Sequence, residues 1–218
     1  AAIDAGKLSR KPVMIDFWPG PARPYPELIL NRMRPGDIHT HVYAKHIPTL
    51  DESGNVAEYM LKAREKGVLF DLGHGGGSFW FRVAVPAIKQ GFMPDTISTD
   101  LHKQSALIPN ANMLTTMSKC LNIGMTLDDV ILRSTTKPAK AICRTDLGHL
   151  SVGAEADVAV LAIRKGDFGF VDSGHARLRG DKKFESIMTV RNGRIVWDPN
   201  GLSWPDWETA GPYEVISH

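Results

Sequence analysis

Four short apolar segments recur along the first half of the chain, and their shared grammar limits the fold more than any other feature. They are Val13–Phe17 ("VMIDF"), Asp37–Tyr43 ("DIHTHVY"), Val68–Leu72 ("VLFDL") and Thr96–Asp100 ("TISTD"). Each follows a turn signal: "KP" at 11–12, "RPG" at 34–36, "KG" at 66–67 and "MPD" at 93–95. Between them lie stretches with helical spacing. Tyr25–Arg34 aligns Leu28, Ile29 and Met33; Val56–Lys66 aligns Tyr59, Met60 and Ala63; Ser78–Gln90 aligns Phe81, Val85 and Ile88. Strands alternating with helices predict parallel β/α units.

The pattern changes after Asp100. Residues 102–112 read as loop, Met113–Asn122 and Thr126–Ser134 as helices, and a further short helix begins near Pro138. Strand composition then takes over in "ADVAVLAI" (156–163), "ESIMTV" (185–190) and "GRIVW" (193–197), with "RNG" at 191–193 marking a hairpin. The expected organisation is an α/β body over 1–146, a small β module over 147–198, and a C-terminal extension over 199–218 that hugs the surface. The opening residues, "AAIDAGKLSR", read as the tail of a helix that ends near Gly6. That start fits either a processed or trimmed terminus or, the favoured expectation, the C-terminal part of a longer chain.

Each of the four segments carries an acid or an imidazole at or near its C-terminal end: Asp16, His41, His74 and Asp100. Taken singly, a histidine there is more often a hydrogen-bonded core or loop residue, and an aspartate often caps the next helix. Four in phase point to a common rim, because ligands of parallel α/β proteins bind at that end. Imidazole and carboxylate suit a divalent ion such as Zn²⁺, and a carboxylate beside it is placed to take a proton. Gly75, Gly76 and Gly77 allow close backbone approach to a substrate, with N–H groups able to hold an anion. "GHGGGSF" is neither a dinucleotide fingerprint, since its glycines are out of register, nor a phosphate loop, since it lacks the lysine. His39 alternates with His41 and is expected to be buried against a helix. His46 and His102 fall on mouth loops within reach of a substrate, Arg23 and Lys103 are mouth-side cations, and His149 and His175 belong to the β module.

Composition excludes several classes. A net charge of +2 gives no reason to expect nucleic acid. Two cysteines in unrelated contexts argue against a disulfide scaffold and for a reducing compartment, or at least for indifference to oxidation. No apolar run approaches membrane-spanning length and no leader is visible, so the expected setting is the cytoplasm, with a small-molecule substrate and no membrane partner.

"GDIHTHVY", "VLFDLGHGGGSFWF", "DTISTDLH", "STTKPAKAI", "LGHLSVGAEADVAVL" and "TVRNGRIVWD" together resemble the amidohydrolase superfamily, nearest its dihydroorotase-like deacetylase branch, over about 10–198. The resemblance implies a TIM (β/α)₈ barrel with a small β-sandwich, of which this chain is the C-terminal half. It implies one or two divalent metals, usually zinc, and hydrolysis of an N-acyl or cyclic amide, or an acyl ester, by metal-bound hydroxide. Family members carry His-x-His on the first strand, often a carboxylated lysine on the fourth, histidines on the fifth and sixth, and an aspartate on the eighth. Taking Asp100 as the eighth-strand aspartate puts His74 on the seventh strand, His41 on the sixth and Asp16 on the fifth. Strands one to four are then missing, "HTH" at 39–41 is not the first-strand motif, and Asp16 stands where the family has histidine. A rival indexing, with His41 and His74 as the fifth- and sixth-strand pair, needs an extra β/α unit before Asp100, and only one helix fits there. The expected metal ligands are His41, Asp100 and Asp16. Asp100 is the proton carrier, His74 a group beside the glycine loop that either polarises substrate or supports the site from behind, and His74, Gly75, Gly76 and His102 contact substrate. The competing expectation is an inert half-barrel that needs its missing N-terminal half or another copy of the chain.

Overall fold

The computed structural model describes residues 1–107 and 111–212. Three parallel strands, β1 (Met14–Ile15), β2 (Ile38–His39) and β3 (Leu69–Phe70), lie in the order β1-β2-β3. A fourth extended segment joins β3 through the parallel bridge Asp71–Thr96, and the ladder continues as Leu72 N–H donates to Thr96, His74 to Ser98 and Gly75 to Thr99. The four segments read from the sequence are thus neighbours in sequence order, with regular pairing confined to two residues in each named strand. The sheet is open rather than a closed barrel, and β1 is an edge.

Helices α1 (Ala2–Ser9), α2 (Tyr25–Glu27), α3 (Glu58–Glu65) and α4 (Phe81–Lys89) connect the strands. Two differ from expectation. Helix α1 continues past Gly6 and stops at Arg10, whose left-handed φ of 54° turns the chain. Gly6 instead serves close packing, since a Cβ there would stand 2.4 Å from Arg34 Nη2. Helix α2 passes after three residues into a π-helical turn, Leu28–Arg32, closed by Met33 N–H donating to Leu28 C=O. The wider turn still delivers Leu28, Ile29 and Met33 to the core that runs through Tyr43, Met60, Phe70, Phe79 and Phe92.

Helices α5 (Met113–Ile123), α6 (Leu127–Ser134) and α7 (Thr136–Ala141) follow. Asn112 and Thr126 cap α5 and α6, their side chains accepting from the N–H of Thr115 and Asp129. Residues 108–110, part of the expected 102–112 loop, lie outside the described residues, as do 213–218 of the extension.

The β module is a three-stranded antiparallel sheet, β4 (Val158–Val171), β5 (Arg177–Arg191) and β6 (Arg194–Trp197). Its first two strands form a ribbon far longer than the composition suggests, bulged between Val160 and Leu161 and between Lys165 and Phe168. The Asn192–Gly193 turn carries positive φ at both residues, as a tight hairpin requires. Helix α5 holds the ribbon: Ser118 Oγ accepts from Phe184 N–H, and Asn122 Oδ1 accepts from Asp181 and Lys182 N–H. The ribbon's tip reaches α4, where buried Asp172 accepts from Phe81 N–H and so caps that helix from a distance in sequence. In the extension, Trp204 and Trp207 are largely exposed.

Candidate active site

The C-terminal ends of the parallel segments open onto one cleft of about 380 Å³. Asp16, Trp18, His41, His46, Gly76, Gly77, Ser78, Asp100, His102, Gln104 and Ser105 line it. Asp16, His41 and Asp100, expected at a common rim from sequence phase alone, therefore face the same space. A larger cavity of about 670 Å³ opens at the opposite ends of the strands among Arg10, Arg34, Lys137 and Asp95, away from these groups.

Backbone geometry sets two of the three. His41 follows β2 with a left-handed φ of 63°. Its Nδ1 lies 2.8 Å from the Gly73 carbonyl oxygen, which only accepts, so Nδ1 carries a proton and Nε2 is the nitrogen turned toward the cleft. Gly73 makes this approach possible: at its φ of 52°, a Cβ would stand 2.6 Å from His41 Nδ1 and 2.3 Å from Thr40 Oγ1. Asp100 also has positive φ, 46°, and its Oδ2 would lie 2.5 Å from a Cβ on Gly75. The glycine run thus lets a histidine and an aspartate seat against main chain. The segment after Asp100 is pinned by buried Ser105, whose hydroxyl donates to Asp100 C=O and accepts from His102 N–H.

His41 Nε2 and Asp16 Oδ2 face each other at 3.8 Å. Two donors of a tetrahedral zinc site stand about 3.4 Å apart, so this pair suits a shared divalent cation. A histidine whose other nitrogen donates to a carbonyl is also the usual form of a metal ligand. Among the described residues, no group of three or more His, Cys, Asp or Glu side chains is gathered closely enough to hold a metal. The described residues therefore supply a donor pair rather than a full coordination set.

The other wall is aromatic. Trp18 stacks on His46, centroids 3.9 Å apart and planes 17° apart. His46 Nε2 is buried with no hydrogen-bond partner among the described residues. Burial, and then nearby His41, push the His46 pKa down. Trp18 is 64% exposed, leaving indole surface open at the cleft.

His74 and Gly75 are not in the lining. The His74 ring is buried, stacked on Phe79 at 4.9 Å, with Nδ1 2.7 Å from the Gly75 carbonyl and Nε2 2.6 Å from Lys119 Nζ. Burial, with Lys119 second, takes its pKa down to about 4. The imidazole expected to touch substrate thus sits behind the rim, and Gly75 lies beneath Asp100. Gly76 and His102 are in the cleft, where the sequence reading put them. His39 is fully buried edge-on to Tyr25, the core position its alternation with His41 predicts.

Three structural contributors escaped the sequence reading. Buried Asp71 accepts from the hydroxyls of Thr40, Thr96 and Ser98 and so ties three parallel segments together under the rim. Lys119 reaches His74 from α5, and Ser105 locks the loop. The interruption of "VLFDL" by an acid was the one available signal.

Residues 81–196 match the amidohydrolase family. A deacetylase of Brucella anthropi is 35% identical over 91% of this chain, and one of Agrobacterium fabrum is 35% identical over the same share; the match covers 52% of each of those proteins. Among solved structures, an adenine deaminase superposes with a TM-score of 0.83 at 28% identity, over 89% of this chain and 53% of that one. A dihydroorotase does so with a TM-score of 0.76 at 32% identity, over 88% and 52%. The chain spans about half the length of the relatives it matches. No helix of the described residues is long and apolar enough to cross a membrane. With its parallel β/α units and rim of Asp16, His41 and Asp100, the chain belongs to the amidohydrolase family.

Proposed function

We propose that this chain forms strands five to eight of a (β/α)₈ barrel, with part of its β-sandwich, in a metal-dependent hydrolase that cleaves an N-acyl or cyclic amide bond of a small molecule in the manner of a deacetylase. The observation that carries the reading is the convergence of Asp16, His41 and Asp100 on one cleft at the strands' C-terminal ends. The likeness to two deacetylases over 91% of the chain supports the same chemistry.

In this reading His41 Nε2 and Asp16 Oδ2 hold a zinc or similar divalent ion, the remaining ligands coming from outside this chain. When bound, the metal supplies Lewis-acid activation of the carbonyl and of water. Asp100 takes the proton from the attacking water on its carboxylate and returns it to the departing nitrogen. The backbone at Gly76 and Gly77 lets the acyl group approach closely, Trp18 and His46 wall one side, and His102 stands at the mouth. In the catalytically competent protein, Asp100→Asn is expected to lower kcat by about 10²–10⁴-fold while metal content measured by elemental analysis is largely retained. Turnover at the parent rate would remove Asp100 from this role.

A second reading is favoured by the open sheet. Edge strand β1, and the exposed Ile195, Val196 and Trp197 of β6, are surfaces of the kind that pair with further chain or a second copy. In that reading the 218 residues are inert until completed. Light scattering and elemental analysis separate the two: a metal-free monomer supports the inert half, a zinc-loaded dimer an assembled site.

A further inference from the structure

We infer that Lys119 is a positioning residue for the cleft: through His74, its ammonium group holds the Gly75 turn on which the Asp100 carboxylate rests. The inference builds on the reading of Asp100 as the proton carrier. Lys119 is fully buried, rare for a lysine, and projects from α5 toward the back of the rim. Its Nζ donates to His74 Nε2 at 2.6 Å and to the Val171 carbonyl at 2.7 Å. It also lies 5.6 Å from the Phe79 ring centroid and 5.9 Å from that of Phe81. Asp172, at the ribbon tip, supplies opposing charge that favours the ammonium form, although burial still lowers the Lys119 pKa to about 8.

The contacts fix the protonation of His74. An ammonium donor at Nε2 demands a lone pair there, so the single ring proton belongs on Nδ1, where it donates to Gly75 C=O. Main-chain bonds from His74 N–H to Ser98 and from Gly75 N–H to Thr99 complete the turn. Gly75 is the floor under Asp100 Oδ2. The sequence of contacts is therefore Lys119, His74, Gly75, Asp100, and its far end is anchored in the β ribbon through Val171. No member but Asp100 lines the cleft. A lysine and histidine that never meet substrate can still govern where the proton carrier stands.

The test uses the isotopically labelled chain itself. Nitrogen NMR at neutral pH is expected to find His74 as the Nδ1–H tautomer; the Nε2–H tautomer in the unaltered protein would overturn the inference without any variant. In Lys119→Met, His74 is expected to lose that single-tautomer signature. Amide exchange at His74 and Gly75 is expected to quicken by about tenfold or more relative to Ile38 and Met60, with the Asp100 amide resonance displaced. Uniform quickening everywhere, or an unmoved Asp100 resonance, would reduce Lys119 to a stabilising residue and refute the link. These readouts need no turnover. Failure of the Asp100 reading appears separately, as undiminished activity of Asp100→Asn.

Discussion

Replacing Asp71 by asparagine probes the join beneath the rim. The carboxylate is 1% exposed; its Oδ1 accepts from Thr96 Oγ1 at 2.5 Å, and its Oδ2 accepts from Thr40 and Ser98 hydroxyls at 2.7 Å each. Ser98 Oγ in turn accepts from Gly73 N–H. Asparagine keeps the shape and can keep its oxygen toward Thr40 and Ser98. Its NH₂ then faces Thr96, whose hydroxyl must turn to accept and loses its own acceptor. Hydrogen bonds to a charged group contribute about 1.5–3 kcal/mol each and neutral ones about 0.5–1.5 kcal/mol, so all three bonds are weakened, the one to Thr96 is reversed, and the Thr96 hydroxyl proton is left without its acceptor. Relief of burying a carboxylate offsets part of this. The expected net loss is about 2–4 kcal/mol, read as a lower urea midpoint with unchanged m-value. In a double-mutant cycle with Thr96→Val, the two losses are expected to fall short of additivity by about 1 kcal/mol. A midpoint shift worth under about 0.5 kcal/mol for Asp71→Asn would refute the claim that this carboxylate joins the segments.

Two further outcomes follow from the same geometry. Gly75→Ala places a Cβ 2.5 Å from Asp100 Oδ2 at a φ of 50°, so a stability loss of about 1–2 kcal/mol is expected together with a displaced Asp100 resonance; an unchanged spectrum would contradict the contact. His39 and His74 are buried with pKa values lowered to about 4. The unfolded chain binds their protons near the ordinary 6.5, so their contribution is complete above that value and is lost as pH falls toward 4, by about 3 kcal/mol for each imidazole. Urea midpoints at neutral pH and near pH 4.5 measure it; His39→Phe is expected to flatten the slope, and a midpoint independent of pH would refute the assignment.

Much of the parallel half was legible because its signals are local. A turn residue and a short apolar run recur four times with a helical stripe in each of the three intervals, and the polar residue at or near the end of each run pointed to the rim. Pairing proved shorter than composition implied, since His41 and Asp100 turn into left-handed conformations that end the strands to aim their side chains. The ribbon over 164–184 stayed unread because charges and glycines fill most of it, so its alternation rests on a few inward residues, Phe168 and Phe170 on β4 and Leu178 and Phe184 on β5, between exposed neighbours. The π turn at Leu28–Arg32 keeps the same apolar residues buried as an α-helix would, so periodicity is blind to it. Whether His74 meets substrate or supports the site from behind is left open by the sequence. Its position in the chain matches that of the rim residues, and what draws its ring backward is Lys119, a partner 45 residues away.

The three rim donors differ in how firmly they are geared to the backbone. His41 and Asp100 each press on a glycine that admits no Cβ, so a change in either must be answered by main chain. Asp16 rises from the sheet edge with its side chain 73% exposed and meets His41 across open space. On the proposed strand order it stands where the family resemblance implies a histidine. A side chain the scaffold does not grip can be exchanged with little main-chain response, so of the three, Asp16 is the position at which the charge of the proposed site is most open to change.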